Sequence, residues 1–85
     1  MINKETLRKQ IIYRATHRGS KEMDILLGKF VKKYIDTFNY DELLDLYEIL
    51  EKDDDAIFKW YSNKNIENNI PTNKVSNLLR NFTIK

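Results

Sequence analysis

The chain has 85 residues, 41% hydrophobic and 33% charged, which suits one small folded domain and is too apolar for a disordered chain. Fifteen basic against thirteen acidic side chains leave a net charge of +2, too small and too evenly mixed for the field of a nucleic-acid binder. The absence of cysteine and a single histidine exclude disulfides, cysteine nucleophiles, thiolate metal sites and paired-histidine zinc sites.

Two glycines and one proline interrupt the chain, and apolar residues recur at spacings of three and four, so the spacing predicts helices throughout. The first helix is predicted over 4–16 with Leu7, Ile11 and Ile12 on one side, ending near Gly19 as a cap with positive φ. The second, over 20–34, carries the clearest stripe, Met23, Leu26, Leu27, Phe30, Val31 and Tyr34. Ser20 is its cap, and Glu22 and Asp24 fall in its first turn, where negative charge is favoured. A third helix over 40–51 follows Asn39 and turns Leu43, Leu46, Tyr47 and Leu50 inward. Asp53-Asp54-Asp55 open a fourth with Ile57, Trp60 and Tyr61 inward. After a polar, Asn-rich link over 63–69, Pro71 and Thr72 open a fifth with Val75, Leu78, Leu79 and Phe82 on one face. The expected fold class is all-α, a compact five-helix bundle in a single domain over 1–85, with a core at about 4–62 and a C-terminal helix at about 71–82.

Arg18-Gly19-Ser20-Lys21-Glu22 is the segment with the most chemistry. Spacing alone admits two readings. In one, Arg18 and Glu22 are an exposed pair beside a helix-joining turn, worth ~0.3–0.5 kcal/mol. In the other they form a docking site in which Arg18 offers a donor fork, Glu22 an acceptor, and Gly19 room for a partner backbone. Three consecutive aspartates cannot all converge on one ion, so 53–55 read as capping and dipole complementarity, with no metal. His17 lacks a nucleophile to activate, so no catalytic residue is assigned and the chain is not expected to be an enzyme. Trp60 reads as core and Phe58 as facing elsewhere. Lys29, Lys32 and Lys33 form an outer basic stretch, which supports the alternative of a small helical nucleic-acid or regulatory binding protein.

The run Tyr13-Arg14-Ala15-Thr16-His17-Arg18-Gly19-Ser20-Lys21-Glu22-Met23-Asp24, with Leu27 and Phe30 after it, resembles the RGxxE-containing succinate dehydrogenase assembly factors, the flavinators of the SdhE type. Leu50 through Trp60, an acidic run leading to an aromatic residue and a tryptophan, is similar to that family's second signature. The resemblance covers roughly residues 7–61 and leaves 63–85 generic. It implies a five-helix protein that binds the flavoprotein subunit of succinate dehydrogenase, and sometimes that of fumarate reductase, and promotes covalent attachment of FAD. Arg18, Gly19 and Glu22 match the interface motif, Asp24 falls at an adjacent position, and His17 is carried with them as partner-binding. FAD then belongs to the partner, and no cofactor of this chain's own is implied. No Gly-rich phosphate loop follows a strand. The opening residues carry no signal-peptide apolar core, and no run nears the ~20 apolar residues of a membrane span. A monomer in the bacterial cytoplasm, without membrane insertion or nucleic acid, is the corresponding expectation.

Overall fold

The computed structural model describes residues 3–62 and 70–83, so the Asn-rich link over 63–69 lies outside the described residues. Among the described residues five α-helices follow one another: α1 (Lys4–Thr16), α2 (Lys21–Tyr34), α3 (Tyr40–Leu50), α4 (Asp54–Ser62) and α5 (Lys74–Arg80). A short 3-10 turn, Ile35–Thr37, extends α2, and no described residue is in a strand. The molecule is an all-α single domain in which α1 packs on α2 and α3, and α3 on α5.

Side-chain caps set most of the boundaries. Asn3, Ser20, Asn39 and Asn73 each stand in extended conformation and accept from a backbone N–H one turn on, satisfying donors that the first turn leaves unpaired. At α3 the cap is reciprocal: Glu42 N–H donates to Asn39 Oδ1 at 2.8 Å and Asn39 N–H to Glu42 Oε1 at 2.9 Å. Asn73 and Ser76 form the same box, which moves the start of α5 from the predicted Pro71 and Thr72 to Lys74. The final helix is correspondingly shorter than 71–82.

The core is built from the predicted stripes with two corrections. On α1 the inward residues are Leu7, Ile11 and Ala15, while Ile12 stays 43% exposed. A step of four keeps 7, 11 and 15 on one line, and Ile12 is rotated about 100° from it. On α3 Ile49 joins Leu43, Leu46 and Leu50 in the interior, with Tyr47 only partly buried. Phe30 is fully buried and sits among Tyr34, Phe38 and Phe82, with ring centroids 4.9, 6.4 and 5.4 Å away. Trp60 is buried and Phe58 is half exposed, as their spacing predicts. Of the outer lysines, Lys33 lies over the Tyr34 and Phe82 rings, so that one is not simply solvated. Each fully buried large side chain here stabilises the fold by about 1.5–3 kcal/mol, which is how so short a chain holds a unique core.

Candidate functional site

The α1–α2 turn is built around Arg18, and it does not have the predicted geometry. Neither glycine of the chain has positive φ, and α1 is terminated by His17 at φ −127°, ψ 57°. The reason is local side-chain chemistry. Thr16 Oγ1 donates to Ile12 O at 2.8 Å, and His17 Nδ1 donates to Tyr13 O at 2.9 Å. With the Tyr13 carbonyl satisfied in this way, the helix end does not need a left-handed residue. His17 also stacks on Tyr13, with ring centroids 4.0 Å apart.

Arg18 and Glu22 are not paired with each other. The Arg18 side chain is only 9% exposed and points into the fold. Its Nε donates to Asp54 Oδ1 at 2.7 Å, Nη1 to Leu50 O at 2.7 Å, and Nη2 to Lys52 O at 2.6 Å. One guanidinium therefore holds the end of α3 and the start of α4 together, using the planar fork that lysine lacks. Asp54 completes the knot, since its second oxygen accepts from Ser20 N–H at 2.8 Å. Asp24 fixes the same turn from the α2 side by accepting the Arg18 backbone N–H. Of the predicted grip, then, Arg18 and Asp24 shape the turn, whereas His17, Gly19 and Glu22 lie exposed on it.

Gly19 sits against Asp54 with space to spare. A Cβ added there would lie 3.5 Å from Asp54 Oδ2, an ordinary contact, and φ is not in the left-handed region. The fold itself therefore has no need of glycine at this position. Beside it, Glu22 accepts from the Ser20 hydroxyl at 3.0 Å. Hydrogen bonding to its own backbone N–H, then to Ser20, holds its carboxyl below the usual glutamate value, so an exposed negative charge is kept at the start of α2. A shallow depression of about 400 Å³ adjoins this turn, walled by Met23, Asp55 and the half-exposed Phe58.

The three aspartates divide their work. Asp53 caps α4 by accepting from Ala56 N–H at 2.8 Å, Asp54 binds Arg18, and Asp55 pairs with Lys59 at 3.1 Å. Among the described residues no group of three His, Cys, Asp or Glu side chains is placed to hold a metal ion. Asp54 was not assigned to the site from sequence, because nothing in the spacing links it to a residue 36 positions earlier. The resemblance of 50–60 to the family's second signature was the one available sign.

The family model described as the flavinator of succinate dehydrogenase matches residues 9–83. The chain belongs to this family. The match reaches past Tyr61, so the C-terminal helix, generic by resemblance alone, is part of the family's pattern. The chain is 43% identical over 53 residues to the FAD assembly factor SdhE of Acetobacter pasteurianus, covering 62% of this chain and 49% of the relative. It is 37% identical over 60 residues to the mitochondrial succinate dehydrogenase assembly factor 2 of Dictyostelium discoideum, covering 71% and 43%. With the protein of that name from Yarrowia lipolytica the identity is 34% over 64 residues, covering 74% and 44%. The chain thus spans less than half the length of these relatives. No solved structure matches it.

Proposed function

We propose that this chain is an assembly factor that binds the flavoprotein subunit of succinate dehydrogenase and promotes covalent attachment of FAD to it. The client's own residues and flavin do the chemistry, so the helper is not an enzyme and holds no cofactor. Its contribution is to stabilise the client conformation in which nucleophile and flavin are aligned. Such pre-organisation can lower a barrier by several kcal/mol without a catalytic side chain from the helper.

The docking face is the outer side of the α1–α2 turn, with Gly19 at its centre and His17 and Glu22 beside it. Arg18 and Asp24 belong to the same motif in a different role, holding the turn in shape from within. The observation that carries this reading is Gly19, an exposed glycine with neither a positive φ nor a crowded Cβ position. What the fold does not require, a closely approaching partner backbone does. The family match and the names of the relatives support the choice of client. Fumarate reductase's flavoprotein subunit is a second client of the same chemistry, and a cytoplasmic monomer is the form in which the helper would meet either. No described helix is long and apolar enough to cross a membrane.

Co-expression with the succinate dehydrogenase flavoprotein subunit tests the reading, with complex formation followed by pull-down and covalent flavin by in-gel fluorescence. A complex and a gain in fluorescence are expected. Neither complex nor gain would overturn it.

A further inference from the structure

A second feature adjoins the docking turn. Thr6, Lys9, Gln10, Tyr13, Arg14 and His17 follow each other at helical spacing along α1, and together with Tyr47 of α3 and Arg18 they line a groove of about 530 Å³. At 1.5 Å per residue the stripe runs ~17 Å and ends at the turn that carries Gly19. No carboxylate is among its lining residues, although acidic side chains make up 13 of the 85 in the chain. A nearly neutral protein has thus gathered cations on one face.

These cations are also unspent. Lys9 and Arg14 make no side-chain hydrogen bond or ion pair to a described residue, in contrast to Arg18 below them. Arg14 is nevertheless held in place, with its guanidinium carbon 5.0 Å from the Tyr47 ring centroid. A guanidinium stacked this way keeps its N–H edge available for a carboxylate while losing little freedom on binding.

We infer that the groove takes an acidic segment of the flavoprotein client, whose carboxylates sit against Lys9 and Arg14 while the neighbouring backbone reaches Gly19. This rests on the docking reading and adds to it the chemistry of the client's surface. Two cations on a preformed groove fix the register of an approaching acidic stretch and speed its capture, and both effects weaken with salt.

The test is binding of the flavoprotein subunit to the full chain by calorimetry at low and high salt, with zero-length carbodiimide cross-linking read by mass spectrometry. A double Lys9→Glu, Arg14→Glu variant should raise Kd at least tenfold at low salt. Arg14→Gln, which removes the guanidinium over Tyr47 without reversing the charge, should raise it several-fold with only a small fall in melting temperature. Lys29→Glu with Lys32→Glu, on α2, should leave Kd within twofold. Lys9 should cross-link to an aspartate or glutamate of the client. Wild-type affinity in both α1 variants, with binding still lost in Gly19→Leu, would overturn the acidic-segment proposal and leave the docking reading standing. A Lys9 cross-link to a second copy of this chain in place of the client would overturn it as well, and failure of the wild-type chain to bind at all would overturn both.

Discussion

Two of the polar ties that join helix ends among the described residues, one at Arg18 and one at Lys74, differ in what surrounds them. At the Arg18 knot a guanidinium only 9% exposed meets a carboxylate 20% exposed and two backbone carbonyls, joining the α1–α2 turn to the α3–α4 turn. At the other tie Lys74 Nζ reaches Glu42 Oε2 at 2.9 Å, joining the starts of α5 and α3, with the lysine side chain 71% and the glutamate side chain 17% exposed. The first tie is largely desolvated and shares its charge among several fixed partners. In the second the cation stands in water, and a pair with a solvated partner contributes little. A motif arginine in the first setting serves the shape of a surface and is spent before any partner arrives.

Removing Arg18 should give the largest effect. Arg18→Ala leaves Asp54 without its cation and two carbonyls without a donor, and we expect a loss of about 3 kcal/mol. For a domain of this size that lowers Tm by more than about 10 °C, to be read by thermal melting followed by circular dichroism. Exposed-pair behaviour, the sequence-based alternative, would give well under ~1 kcal/mol. Asp54→Asn keeps one acceptor and the shape but removes the charge, and should cost about 1–2 kcal/mol in the same assay. The smallest effect belongs to the open tie and is seen in its pH dependence. Hydrogen bonding to the Asn39 backbone, and then to Lys74, holds the Glu42 carboxyl below the usual glutamate value. Its stabilisation is therefore present above the unfolded value and is lost as pH falls through the lower folded value. Glu42→Gln should slightly destabilise the protein near pH 7 and flatten the decline in Tm as the solution is made acid.

The same contrast marks how far the sequence could be read. Helix existence and the inward stripes follow from spacing, because period 3.6 and the caps Ser20 and Asn39 are local properties. The end of α1 at Thr16 follows from the sequence but its cap does not, since Gly19 is the usual signal for a left-handed cap and the competing side-chain bonds of Thr16 and His17 leave no periodic trace. The start of α5 was misplaced because Pro71 competes with Asn73, whose reciprocal bond with Ser76 prevails. Within the site, the motif residues were recognisable as a set, but their division into inward and outward members was not. That division depends on Asp54, Leu50 and Lys52, which only the folded chain brings to Arg18. Family resemblance located the turn, and geometry separated its scaffold from its exposed face.

The central claim is that Gly19 serves a partner and not the fold. It is tested most directly by comparing Gly19→Ala and Gly19→Leu in two assays, thermal melting of the isolated chain and covalent flavin on the co-expressed flavoprotein subunit. The account predicts that both variants melt within about 3 °C of the wild type, that client flavinylation falls with alanine, and that it is abolished with leucine. Full flavinylation with leucine in place, or a fall in melting temperature that parallels the loss of flavin, would contradict it.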